Sequence, residues 1–319
     1  MELISAIIPT YNRAHLIKDS ISSLLNQTYK NLQIIVVDDG STDNTQEVAR
    51  QFNDSRIEYY KIEHSGVSKA SNYALAKAQS NIIVRLDSDD YCDPHRIQTQ
   101  YSFYKQNEGR YGVIGSNFYV VDINKNSMLK AVYPEKHKKI YNQLPRKCCL
   151  SAPTVLYRKD IVLEVGGYNQ NKKAAEDWEL YLRLLDKTKF YNIQKFLVSL
   201  RKHDNNLSSP NELFNKENLE VPVQYFKKVI SEERDNKKLA KAYFDMGYFY
   251  YYDNQLSNAL ECFEEAVKRY PYNLQYLRYF IPNKYLQGLL EYSRKHNYYK
   301  HLSFLRKLDK NNYFFRNSV

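Results

Sequence analysis

The 319-residue chain predicts an α/β fold, with a mainly parallel central sheet and flanking helices, followed by an all-α region over residues 211–319. Three observations lead there. Short apolar, β-branched runs alternate with helical periodicity through the first two hundred or so residues. Acidic and polar clusters fall immediately after those runs. Beyond residue 211 strand formers give way to continuous helical patterning, with a boundary expected at 208–210.

The elements follow in order. Residues 3–8 read as a first strand ending in Pro9-Thr10-Tyr11-Asn12, with a helix from Ala14. Residues 32–37 form a second, ending in Asp38-Asp39-Gly40-Ser41, with a helix from Asp43. A third strand, 57–62, leads to a helix from Val67, and a fourth, 82–86, ends in Asp87-Ser88-Asp89-Asp90 before a helix from Pro94. Ligands of open parallel sheets bind beyond the carboxyl ends of the strands, so these clusters mark the expected site.

Their chemistry can be read residue by residue. Three carboxylates at one strand end, Asp87, Asp89 and Asp90, repel one another unless a cation joins them, and Mg²⁺ or Mn²⁺ binds carboxylates and phosphates together. Turn and cap chemistry explains Asp93-Pro94 but not the other three acids. Asp89 is expected as an exposed strand-end acid. Asp38 and Asp39 are placed to accept hydrogen bonds from a base or ribose, with Thr42 and Asp43 left to the following turn. Glu176 and Asp177 open a helix that favours acids at its start, and either a structural role or a general base suits them. Arg201 and His203, after a strand-like run at 196–200, are placed to reach a diphosphate.

Composition narrows the class. No apolar run approaches the roughly 18 residues of a membrane span, and the start of the chain lacks a signal-peptide pattern, so a cytoplasmic location is expected. Cys92, Cys148, Cys149 and Cys262 show neither disulfide rhythm nor metal-ligand spacing. The formal charge is +11, and from Lys268 onward eleven Lys or Arg residues face only Glu291 and Asp309. That segment either contacts anionic membrane peripherally or is an ordinary solvated surface; no nucleic-acid motif accompanies it, and nucleic acid is not an expected partner. Tyr243, Met246, Gly247, Tyr250, Ala259, Phe263, Ala266 and Pro271 fall on the spacing of one tetratricopeptide-like repeat, about 240–273. A single repeat must stack on neighbours, here helices expected around 220–230 and 283–296, and offers a surface for a protein partner.

The ordered set Ser5-Ala6-Ile7-Ile8-Pro9-Thr10-Tyr11-Asn12, Val36-Val37-Asp38-Asp39-Gly40-Ser41-Thr42-Asp43, Leu86-Asp87-Ser88-Asp89-Asp90 and Gly166-Gly167-Tyr168 with Glu176-Asp177 resembles glycosyltransferase family 2, across about residues 3–205. The resemblance implies a GT-A fold over residues 1–210. It also implies metal-dependent, inverting transfer of a sugar from a nucleoside diphosphate donor, expected to be UDP-linked, to a glycan or lipid-linked acceptor. Pro9, Thr10, Tyr11 and Asp39 would line the nucleoside pocket, with Asp39 facing the base. Asp87 and Ser88 would approach ribose or donor sugar, Asp89 would bind metal, and Asp177 would be the base. His203 resembles a histidine that contacts diphosphate or metal. Ser71 stands where relatives commonly carry a basic residue, leaving Lys69 or Arg85 to meet the diphosphate. The alternative is a catalytically silent scaffold that binds sugar nucleotide and acts through the C-terminal helices.

Overall fold

The computed structural model describes residues 1–204, 206, 212–271 and 273. The chain divides into two compact units, Met1–Tyr225 and Phe226–Val319.

The first unit begins with β1 (Ile4–Thr10), α1 (Ile17–Leu25), β2 (Leu32–Asp38), α2 (Thr45–Arg50), β3 (Ile57–Lys61), α3 (Val67–Lys77) and β4 (Ile82–Arg85). It continues with β5 (Tyr91–Cys92), α4 (Arg96–Gln106), β6 (Tyr111–Val121), β7 (Ser127–Ala131), α5 (His137–Gln143), β8 (Leu156–Arg158), α6 (Lys159–Glu164), α7 (Glu176–Leu184) and β9 (Lys189–Arg201). One sheet runs in the order β3-β2-β1-β4-β8-β6-β9-β5, with β7 on β6. Its β3-β2-β1-β4 half is parallel, as expected. The other half is mixed, as β8 pairs antiparallel with β4 and β6, and β5 with β9, while β9 runs parallel to β6.

Both faces of the parallel half are covered, which is why its strands read as unbroken apolar runs. Side chains alternate across a strand. Ile4, Ala6, Ile8, Ile34 and Val36 share a core with Ile17, Ile21 and Leu24 of α1 and Ile97 of α4. The intervening positions face the side where α3 packs with Ala70 and Ala74. Pro9 is tolerated in β1 because of its place in the ladder. Thr10 accepts from Asp39 N–H and Ile7 from Leu86 N–H, so odd positions face β4, and Pro9 lies beyond the last pair there, Ile7 with Arg85.

The first unit extends past the boundary expected near residue 210 into α8 (Glu212–Glu232), because Glu217 and Glu220 bond to residues 172–175. In the second unit α9 (Asn236–Tyr252) and α10 (Leu256–Arg269) pack through Ala240, Phe244, Ala259, Phe263 and Ala266. A Cβ on Gly247 would lie 2.8 Å from Phe263, so the helices meet where a side chain cannot fit. Asp235 caps α9 by accepting from Lys238 N–H at 2.9 Å. Phe226 of α8 contacts Phe249, with ring centroids 6.3 Å apart. The helix expected at 283–296 and the basic residues Arg278, Lys284, Arg294, Lys295, Lys300, Arg306, Lys307, Lys310 and Arg316 lie outside the described residues. Among the described residues no helix is long and apolar enough to cross a membrane.

Candidate active site

The ends of β1 and β2 are joined by polar bonds between their loops. Asn12, at φ +50°, donates its N–H to Ser41 Oγ and accepts from Thr42 N–H through Oδ1, both at 2.8 Å. Gly40 sits at φ +79°, and a Cβ there would stand 2.9 Å from His64 N, so a side chain would be both strained and obstructed. Asp38 turns inward, accepting from Ser41 N–H at 2.7 Å and from the Tyr59 hydroxyl. Asp39 accepts from the backbone N–H groups of Ser65 and Gly66, each at 2.8 Å, tying β2 to the start of α3. His64 closes this corner: its Nδ1 lies 2.9 Å from Asp39 O and Oδ2, and its ring stacks on Tyr11 with centroids 4.2 Å apart. The Thr10 hydroxyl is buried there without a hydrogen-bond partner.

A second cluster forms at the end of β4. Asp90 accepts from Arg201 N–H at 2.8 Å, pinning the end of β9. His203, two residues on, then brings Nε2 to 3.0 Å from Asp89 Oδ2, while Arg13 Nε lies 3.3 Å from the same oxygen. Burial opposes the charge of Asp89, but the His203 bond and Arg13 outweigh it and hold the carboxyl below the usual range. Asp87 goes the other way. Burial pushes it up despite Arg85, and Asp89 and Glu176 add to the rise. Asp90 is driven well above its ordinary value by burial and then by Asp89 and Asp87.

Arg85 joins this cluster to α7. Buried to 2%, it donates from Nε to Asp87 Oδ1 at 3.1 Å and from Nη2 to Glu176 Oε1 at 2.9 Å. Its guanidinium carbon lies 5.4 Å from the Tyr168 ring centroid. Asp177 follows Glu176, and its Oδ1 accepts from Trp178 N–H at 2.7 Å. Burial, reinforced by Glu176 and opposed by Arg85, pushes its carboxyl up to about 7. The preceding loop is fixed by Asn72, which bonds both the N–H and the C=O of Tyr168. Gly167, at φ +73°, lets that amide approach, since a Cβ would fall 2.6 Å from Asn72 Oδ1.

The expected residues thus fall into two neighbourhoods: Pro9, Thr10, Tyr11 and Asp39 at the β1–β2 ends, and Asp87, Ser88, Asp89 and His203 with Arg85 and Asp177 around the end of β4. Three expectations change. Asp89 is buried rather than exposed. Arg85 is held between two carboxylates instead of being open to a diphosphate. Arg201 turns to Asp19, at 2.7 Å. Lys69 is exposed, its Nζ 3.0 Å from Ser65 Oγ beside the Asp39 corner. Arg13, His64 and Glu217 were not expected; adjacency to the Tyr11-Asn12 motif was the available signal for Arg13, and none marked the other two.

Among the described residues no three His, Cys, Asp or Glu side chains converge as a complete metal cage. Asp89 and His203 nevertheless oppose one carboxylate oxygen to one imidazole nitrogen. Such a pair fits a divalent ion that takes its remaining ligands from phosphate oxygens and water.

Residues 5–166 match the model of the family described as glycosyl transferase family 2. The O-antigen biosynthesis glycosyltransferase WbnJ of Escherichia coli is 32% identical over 212 residues, covering 64% of this chain and 81% of WbnJ. The E. coli UDP-Glc:alpha-D-GlcNAc-diphosphoundecaprenol beta-1,3-glucosyltransferase WfgD is 36% identical over 185 residues, 57% of this chain and 70% of WfgD. A crystal structure of S. aureus TarS 1-349 with UDP-GlcNAc aligns with a TM-score of 0.63 at 18% identity, covering 84% of this chain and 81% of TarS 1-349, a likeness of fold. The chain belongs to glycosyl transferase family 2: it is a glycosyltransferase with a GT-A-type sheet and additional C-terminal helices.

Proposed function

We propose that the protein moves a hexose from a UDP-linked donor to a hydroxyl of a glycan or lipid-linked acceptor, in one inverting displacement with Asp177 as general base. The observation that carries this is the Arg85 bridge, which fastens the helix bearing a carboxyl of pKa about 7 to the donor-side acid Asp87. A base poised near the working pH is ionised enough to take a proton and basic enough to hold it. The acceptor oxygen attacks the anomeric carbon, its proton passes to Asp177, and the bond to the diphosphate oxygen breaks. No covalent sugar–enzyme intermediate is needed.

Pro9, Thr10, Tyr11 and Asp39 would line the nucleoside pocket. The unpartnered Thr10 hydroxyl supports a polar ligand there. Asp87 and Ser88 would meet ribose or donor sugar, and Lys69 is the exposed cation for diphosphate. We assign Arg85 to holding Asp87 and Glu176. Asp89 and His203 would hold Mn²⁺ or Mg²⁺, which when bound neutralises charge on the leaving diphosphate. The UDP-GlcNAc complex of TarS and the donor in the name of WfgD support a uridine nucleotide, and the diphosphoundecaprenol acceptor of WfgD supports a lipid-linked one.

We read α9 and α10 as one tetratricopeptide-like unit for a protein partner, and the basic segment beyond Lys268 as the source of peripheral contact with anionic membrane. Flotation with anionic and neutral liposomes tests the latter. Binding that needs anionic lipid and weakens with salt supports it, and binding unchanged by truncation after Ser231 overturns it.

The activity is tested by screening UDP-, GDP- and dTDP-linked sugars for nucleotide release with Mn²⁺ or Mg²⁺. UDP-sugars alone should turn over; preference for another nucleotide, or activity undiminished by chelation, would sink the donor or metal assignment. Asp89→Asn, which spares volume around Arg13 and His203, should abolish metal-dependent gain in UDP affinity by calorimetry.

A further inference from the structure

We infer that Glu217 is a positioning residue for the base: a carboxylate cap, supplied from α8, that holds the segment running into α7 and thereby Asp177. The inference rests on the assignment of Asp177 as base.

Helix α7 begins without a cap of its own. Its N-cap residue is Ala175, which has no side-chain acceptor, and the N–H groups at a helix start need partners from elsewhere. Glu217, 4% exposed, meets the amide of that N-cap residue and the two amides before it. Its Oε2 accepts from Lys173, Ala174 and Ala175 N–H at 3.1, 2.9 and 3.0 Å, and its Oε1 accepts from Lys173 N–H at 3.0 Å. Three consecutive amides therefore converge on one buried carboxylate, two residues before Asp177. A negative charge at this end also opposes the helix dipole favourably.

The neighbouring contacts make the clasp directional. Glu220, three residues along α8, bonds Lys172 Nζ at 2.9 Å, and residues spaced by three share a helix face. Ser68 of α3 donates to Lys172 O at 2.6 Å. The segment 172–175 is thus held from one side by α8 and from the other by α3, whose lead-in residues Ser65 and Gly66 are tied to Asp39. Asp177 has few freedoms left, because its Oδ1 already accepts from the next amide. A reacting carboxylate displaced by about 1 Å can lose on the order of a hundredfold in rate, so loosening this segment should act on turnover rather than on nucleotide binding.

The test compares the native 319-residue chain with Glu217→Ala and Glu217→Gln. Amide hydrogen exchange is followed at residues 173–175, UDP affinity is measured with Mn²⁺, and nucleotide release from UDP-glucose is measured at saturating donor. Glu217→Ala should exchange those amides at least about tenfold faster and lower kcat by roughly 10- to 100-fold, with UDP affinity within about twofold. Glu217→Gln keeps one carbonyl oxygen as acceptor and should recover most of the rate. Unchanged exchange in Glu217→Ala, or losses of affinity and rate in equal measure, would overturn the inference. Native turnover in Asp177→Asn would instead overturn the base assignment, so the two failures are read on different variants.

Discussion

The two neighbourhoods of the site are built by different physics. At the ends of β1 and β2, side chains cap turns and backbone amides of neighbouring elements: Asn12 to Ser41 and Thr42, and Asp39 to Ser65 and Gly66. Around the end of β4, charges confront one another: Arg13 and His203 reach Asp89 from other segments, and Arg85 stands between its near neighbour Asp87 and Glu176 of α7. The first arrangement is a preformed polar rim whose members, the Thr10 hydroxyl apart, satisfy one another. The second is a balance of charge that raises the carboxyl of Asp87 and lowers that of Asp89. Substitutions should therefore act locally in the first and spread through pH behaviour in the second.

The largest effect is expected at Asp177. Asp177→Asn preserves size but cannot take the proton, so kcat should fall by about 10² to 10⁴ with UDP affinity little changed. In the native protein kcat should rise with pH through about 7 as the carboxyl ionises, and the variant should lack that limb. Stability moves oppositely. A carboxyl raised from 3.8 to about 7 by folding favours the folded state below its unfolded value, and that contribution disappears as pH rises through 7. Asp177→Asn should accordingly melt higher than native at pH 8 and lose that advantage toward pH 5. A limb retained in the variant would place the base elsewhere.

Arg85 tests whether the charged neighbourhood acts as a unit. Arg85→Met leaves Asp87 and Glu176 without their common cation, and breaking a buried ion pair costs about 3–5 kcal/mol. Denaturant titration would measure it. Arg85 also opposes the rise of the Asp177 pKa, so its removal should move the kcat limb to higher pH, an effect that loss of packing alone would not produce. Arg85→Lys, which keeps the charge, should restore most of the limb position while losing the two-pronged geometry.

The contrast also explains what the sequence disclosed. Strands β1, β2 and β4 were legible as apolar runs because both sheet faces are covered, and their polar ends followed directly. The strands β6 and β9 were harder: Gly112, Gly115, Ser116 and Asn117 interrupt β6, Asn192, Gln194 and Lys195 interrupt β9, and only 196–200 of β9 read as strand. Their directions depend on pairing between distant segments. In the site, Thr10, Asp39, Asp87 and Asp89 announced themselves by standing at strand ends. Arg13 meets Asp89 76 residues away, and Glu217 meets Ala175 42 residues away. Such roles exist only once the sheet has brought the partners together. The buried state of Asp89 was hidden for the same reason, since burial comes from β9 and α1-side residues that its own strand does not specify.

His64 offers the mildest way to break the comparison. Its ring stacks on Tyr11 and its Nδ1 touches Asp39, but it takes part in none of the ion pairs around the end of β4. An aromatic pair of this kind contributes about 0.5–1.5 kcal/mol beyond the area it buries. His64→Ala should therefore weaken UDP binding by roughly two- to twelvefold through a less ordered Tyr11, while the kcat limb near pH 7 stays where Asp177 sets it. His64→Phe keeps the stack but loses the bond to Asp39, so it separates the two contributions: recovery of affinity assigns the effect to the ring, and no recovery assigns it to Asp39. Should His64→Ala shift the kcat limb as far as Arg85→Met does, the two neighbourhoods would be one electrostatic unit and the distinction between preformed rim and charge balance would fail.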